Sequence, residues 1–162
     1  MAHESKRRLH AELLTKLTRD RDALQSSQRE VAEGVTHEDN RAEGDKDMRA
    51  TEASYLARGQ AMRVLALEED VQRVAAMTLR SFGDDDPIAI SALVDIAIGG
   101  VETHLFIAPA GGGARLGEGA GAVQVVTPAS PIGRVLIGSR VGDDVEIDRG
   151  GRVESAEILA VG

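Results

Sequence analysis

The sequence predicts an α+β chain in two parts: an antiparallel coiled-coil hairpin over residues 1–80, then a small antiparallel β domain with one short helix over 81–162. Three observations carry this. Between Ser5 and Gly34 no Pro or Gly interrupts the chain, and apolar residues return at heptad spacing. Beyond Arg80 that period is lost and short alternating runs separated by glycines replace it. Charge changes at the same place: residues 1–80 hold 15 acids and 14 Lys or Arg, residues 81–162 hold 12 acids and 5 Arg.

In the first helix Leu17, Leu24 and Val31 recur every seven residues, with Leu9 and Leu13 on the same side. Asp20 and Ser27 are the weak points of that seam. In the second, from about Arg49 to Thr78, Ala53, Ala57, Gln60, Val64, Leu67, Val71 and Val74 keep a three-four spacing, with Gln60 the weak point. Each helix should run about 30 residues, roughly 45 Å. Neither can bury its seam alone, and the short connection makes an antiparallel hairpin the economical solution.

The connection forms a tip at about residues 35–48, with Gly34 expected to stop the first helix and Gly44 to open the turn. Glu38, Asp39, Glu43, Asp45 and Asp47 crowd there against Arg41 and Lys46. Two readings stand side by side. The acids solvate a loop, and Asp45 or Asp47 caps the second helix. Or clustered carboxylates at the end of a rod offer hard oxygen ligands to Mg²⁺. His37 adjoins these acids, but His3, His10 and His104 match it in no ligand spacing, so a resident transition metal is not expected.

After a turn at Phe82–Pro87, strands are expected around Val94–Ile98, Thr103–Ala108, Val123–Val125, Val145–Ile147 and Val153–Val161. Pro131 to Ile137 fits a short helix with Pro in its first turn, Gly138 at its end, and Ile132, Val135, Leu136 and Ile137 over one sheet face. The run PAGGGARLGEGAGA lacks the Gly-Lys-Ser/Thr ending of a P-loop, and its glycines are too close for a dinucleotide fingerprint, so it is expected to be a flexible loop. No Ser-His-Asp set, metal cluster or catalytic carboxylate pair is legible in this half.

Composition excludes several functions. There is no Cys, hence no disulfide, thiolate zinc site or thiol nucleophile. One Tyr, two Phe and no Trp leave little for base stacking. A net charge of −8 argues against wholesale nucleic-acid binding, and direct DNA binding is not expected. The N-terminus has no apolar run of signal-peptide length and no segment approaches a membrane span, so a cytoplasmic protein without a membrane partner is expected.

Residues Pro131 to Ile147, PIGRVLIGSRVGDDVEI, resemble the C-terminal signature of the Gre transcript-cleavage factors, the GreA/GreB-like transcription elongation family. The family pattern is Ser-Pro, a short helix ending in Leu-x-Gly, then Gly-Asp-x-Val and a strand. An acid-tipped helical hairpin with Ala53-Ser54-Tyr55 on the returning helix adds to the resemblance, which covers nearly the whole chain. It implies an FKBP-like C-terminal domain docking beside the secondary channel of bacterial RNA polymerase, with Ser130, Pro131 and Ile132 as binding candidates. It also implies tip carboxylates, here Asp45, Asp47 and Glu43, that help hold a second Mg²⁺ at the polymerase active site. Asp45 and Asp47 would share that ion only in the complex. The RNA 3′ end would be met indirectly, and no stand-alone enzymatic activity is implied. The family carries Gly-Asp, two residues, then Glu-Asn-Ala-x-Tyr. Aligned on Tyr55, this chain has Met48 and Thr51 at the acidic positions, with Asp47 and Glu52 each one residue away. The resemblance thus leaves two outcomes, stimulated cleavage or inhibition in the channel. An FKBP-like fold also suggests a prolyl isomerase, whose aromatic-lined pocket only Phe82 and Phe106 could supply. A hairpin module for some other partner is the remaining alternative.

Overall fold

A computed structural model describes the backbone of residues 2–38 and 46–162, and the side chains of 4–34 and 48–162. The order is α1 (Ala2–Glu38), α2 (Lys46–Ala75), β1 (Leu93–Ile98), β2 (Val101–Ile107), β3 (Arg115–Leu116), a single 3₁₀ turn (Gly119–Gly121), β4 (Val123–Val126), α3 (Pro131–Leu136), β5 (Asp144–Arg149) and β6 (Arg152–Val161). Two compact units divide the chain. One is Thr15–Val71; the other joins Met1–Leu14 to Gln72–Gly162. No helix among the described residues is long and apolar enough to cross a membrane.

The helical unit follows its heptads as far as Leu24; Val31, the next residue expected in the α1 seam, is 38% exposed. Ala53, Ala57, Gln60, Val64, Leu67 and Val71 are the shielded positions of α2, while Tyr55, Leu56, Met62 and Leu65 lie exposed. On α1, Leu17 is buried and Leu24 half-buried, but Asp20 and Ser27 face solvent. Arg21 and Gln28 take the shielded positions beside them. Arg21 Nη1 reaches Glu68 Oε2 at 2.7 Å, so an ion pair joins the two helices where the apolar repeat fails. Gln60 Oε1 is buried without a hydrogen-bond partner among the described residues. A buried acceptor left unpaired costs stability, and here it marks the polar step in the seam. Gly34 does not stop α1, which continues to Glu38. An isolated Gly costs a helix only about 1 kcal/mol, which neighbouring turns can absorb.

The second unit is a six-stranded sheet of order β3-β4-β2-β1-β6-β5. Five strands were expected. The sixth, β3, lies inside the glycine-rich run, where Arg115 and Leu116 pair with Gln124 and Val123. The run is therefore built rather than loose: Leu116 is fully buried, and the Gly117 amide donates to both oxygens of Glu12 at 3.0 and 3.1 Å. The sheet is mostly antiparallel, with one departure. β2 and β4 run parallel, and the connection between them contains β3, which pairs with the far edge of β4. Both Gly-Gly turns make two-residue hairpins: Gly99–Gly100 and Gly150–Gly151 hold φ of +56°, +82°, +64° and +88°, which side-chain-bearing residues rarely adopt.

One sheet face carries the main core. Val94, Ile96 and Ile98 of β1 alternate inward with Leu105, Ile107, Val126, Ile147, Ala156 and Ile158 from their neighbours. α3 covers them. Leu136 is fully buried, Ile132 and Val135 pack against the cluster, and Ile137 is 38% exposed, outside the face expected for it. It is the C-cap residue, past the last helical position, with φ of −58° and ψ of 125°. Ser130 caps α3, accepting from the Gly133 amide at 3.0 Å and donating to Thr127 O at 2.8 Å. A Cβ at Gly133 would lie 1.9 Å from the Thr127 carbonyl oxygen, so helix backbone and strand end touch directly.

On the other face Phe106, Leu116, Val123 and Val125 are buried as well, in the same unit as buried Leu9, Leu13 and Val74. Lys6, in the same unit, is 1% exposed. Its ammonium donates to the Arg80 carbonyl oxygen and sits 4.6 Å from the centre of the Phe82 ring. The Arg80 amide in turn donates to Ser91 Oγ at 2.9 Å, and Ser91 holds a φ of +77° to provide it.

Two consequences are measurable. Gly133→Ala should lose roughly 2 kcal/mol or more in urea unfolding, because backbone must move to admit the methyl. Gly83→Ala, whose methyl meets only the Asp86 carboxylate at 3.7 Å, should stay within about 0.5 kcal/mol. Burial, with Arg80 nearby, lowers the Lys6 pKa from 10.5 to about 8. The unfolded chain then holds a proton between pH 8 and 10.5 that the folded chain has lost, so stability rises with pH across that window. The gain is at most ~3 kcal/mol, is constant below pH 8, and should vanish in Lys6→Met.

Candidate functional site: the groove beside helix α3

The residues singled out at the tip are only partly in view. Glu43 and Asp45 lie outside the described residues, as do Asp39 and the side chains of Glu38 and Asp47. The backbone of Asp47 belongs to the first turn of α2. Glu52, Met48 and Thr51 are exposed on that helix.

Ser130, Pro131 and Ile132 are brought together with residues from three other segments. They line a surface groove of about 220 Å³ with Gly112 and Gly113 of the glycine-rich run, Val125–Thr127 at the end of β4, and Asp148 and Arg149 at the end of β5. Each of the three plays a different part. The Ser130 hydroxyl uses its donor on Thr127 and its acceptor on Gly133, so its polarity is consumed by the cap. Pro131 is exposed at the first helical position, where its missing amide costs nothing. Ile132 is half-buried and rests on the core. The groove thus has an apolar part together with one cation, Arg149, and one carboxylate, Asp148, among its lining residues. The Asp148 carboxylate also accepts from the Gly151 amide at 2.8 Å, which fixes the hairpin end.

Sequence reasoning missed Gly112, Gly113, Asp148 and Arg149. The signal for the last two was available: the two-residue Gly150–Gly151 turn makes Arg149 and Arg152 partners and sets the end of β5. Gly112 could be found only in space, since its Cβ position lies 3.2 Å from Thr127 Cγ2. The aromatic pocket of an isomerase is not here. Phe106 is fully buried and the Phe82 ring lies against Lys6 and Arg80, the latter 5.1 Å from its centre. Neither ring lines the groove.

No family model matches the chain, and no curated protein does. Solved structures do. GreA factor homolog 1 (Gfh1) of Thermus thermophilus is similar over 96% of this chain and 95% of its own, at 21% identity and a TM-score of 0.39. Gfh1 of Thermus aquaticus is similar over 91% and 92%, at 16% identity and the same TM-score. The transcription elongation factor GreA/GreB of Nitrosomonas europaea is similar over 59% of this chain and 78% of its own, at 19% identity and a TM-score of 0.36. At these identities the likeness concerns the arrangement of helices and strands alone.

Proposed function

We propose that this chain is a Gre-like transcription factor that binds bacterial RNA polymerase at the secondary channel and modulates elongation. The observation that supports this is the segment from Ser130 to Ile147. Its Ser-Pro opening is an N-cap and first helical residue, its Gly138 turns the chain at a φ of +86°, and its Gly-Asp-Asp leads into β5. That is the signature by which the sequence resembles the Gre factors, and it sits in a chain that also carries a helical hairpin.

In this reading Glu43, Asp45 and Asp47 reach the polymerase active site and complete the weakly held site of a second Mg²⁺. One ion positions the RNA phosphate and the other activates the attacking water, so acids at the tip strengthen the two-metal arrangement. The Mg²⁺ belongs to the polymerase centre, and the chain has no hydrolytic activity of its own. A second reading, occupation of the channel without cleavage, is favoured by one specific feature. Asp47 and Glu52 stand one residue from the family's acidic positions, about 100° round the helix.

Stalled, backtracked complexes with Mg²⁺ separate the two. Shortening of the RNA 3′ end supports stimulated cleavage; slowed elongation without shortening supports inhibition; neither effect removes the proposal. Asp45→Ala with Asp47→Ala should cut the effect at least about tenfold, or ~1.4 kcal/mol in barrier, while polymerase binding is retained. Equal loss of binding would show that the tip only anchors. Pro131→Glu should weaken polymerase pull-down with an unchanged thermal midpoint, since the residue is exposed and an acid suits a first helical turn. Undiminished capture would remove the groove from the interface.

A further inference from the structure

The outer face of the β1–β2 hairpin carries a donor set that the transcription reading does not use. The two-residue turn at Gly99–Gly100 pairs Asp95 with His104 and Ala97 with Glu102, placing all three side chains on the face opposite the α3 core. The alternation is strict: Val94, Ile96 and Ile98 turn inward and are buried. Sequence spacing hid the group, because nine residues separate Asp95 from His104. In space one ligand atom from each of Asp95, Glu102 and His104 lies within 4.8 Å of the others. Asp95 Oδ1 is 2.7 Å from His104 Nδ1, with side chains 38% and 31% exposed. Glu102 and His104 also line a cavity of about 290 Å³ with Arg115 and Gln124.

We propose that Asp95, Glu102 and His104 form a binding site for a first-row divalent metal ion of the Zn²⁺ class, with water completing its shell. Metal–ligand bonds to N and O run about 2.0–2.2 Å, so donors on one ion lie up to about 4.4 Å apart. A separation of at most 4.8 Å closes with small side-chain rotations. An imidazole nitrogen beside two carboxylates selects Zn²⁺ and its neighbours over Mg²⁺ and Ca²⁺, which take oxygen ligands. The donors stand on a hydrogen-bonded ladder with a tight turn, so little chain entropy is lost on binding. Glu157 lies across Ala97 in register on β6 and adds negative charge, and Arg115 lines the same cavity.

The test is a ZnCl₂ titration of the full chain followed by NMR of the histidine rings and the backbone amides of 93–106. The expected result is a saturable shift of His104 and its hairpin at one equivalent, lost in Glu102→Gln and in His104→Gln. The shift should persist in Asp45→Ala with Asp47→Ala, which separates it from any ion at the tip. MgCl₂ at the same concentration should leave His104 unmoved. Failure of His104 to shift at a hundredfold excess of Zn²⁺ overturns the proposal. So do shifts confined to His3, His10 or His37, or shifts unchanged in Glu102→Gln.

Discussion

The contact between Gly133 and the Thr127 carbonyl is the constraint on which the sheet unit turns. A helix of six residues has too little surface to bury a sheet face unless its backbone comes close. With no Cβ at Gly133 the helix lies directly against the end of β4, and Leu136 reaches the core. The Ser130 cap bridges the same two backbones through one hydroxyl. Downstream, the Gly138 amide donates to Ile88 O and the Ile88 amide to Ser139 O, so the segment that enters the sheet is tied to the helix end. The groove beside Pro131 exists because of the same approach: it is the space left where helix, strand end and glycine-rich run converge.

The helical unit has a different economy. Its seam is apolar but not continuous. Arg21 and Glu68 stand in where the heptad gives a polar residue, and Gln60 is left with an unmet acceptor. An ion pair on a half-exposed surface contributes little, on the order of 0–1 kcal/mol, so the hairpin depends chiefly on its leucines and valines.

At the other end of the molecule's chemistry stands Lys6, the long charged side chain enclosed in the sheet unit. It is kept there by the Arg80 carbonyl and the Phe82 ring, and the Arg80 amide is held by Ser91 in a backbone conformation that favours glycine. One desolvated residue and one strained residue therefore hold the carbonyl and the amide of Arg80. Such an arrangement persists only where surrounding packing over-determines it.

The sequence by itself determined the two-part order, the α2 seam from Ala53 to Val74, the alternation of β1 and the capped α3, because each depends on periods and caps a few residues long. Gly99–Gly100 and Gly150–Gly151 were legible for the same reason: a two-residue turn sets its own register. Of the candidate groove, Ser130, Pro131 and Ile132 could be read from a local motif, whereas Gly112 and Arg149 could not. Only the tertiary structure decided that α1 runs through Gly34, that the glycine-rich run supplies β3, that β4 lies parallel to β2, and that Asp95, Glu102 and His104 share a face. These depend on pairings between segments distant in the chain, or on packing that outweighs a weak local preference. A single sequence records the preference of each segment but not the partner that overrules it.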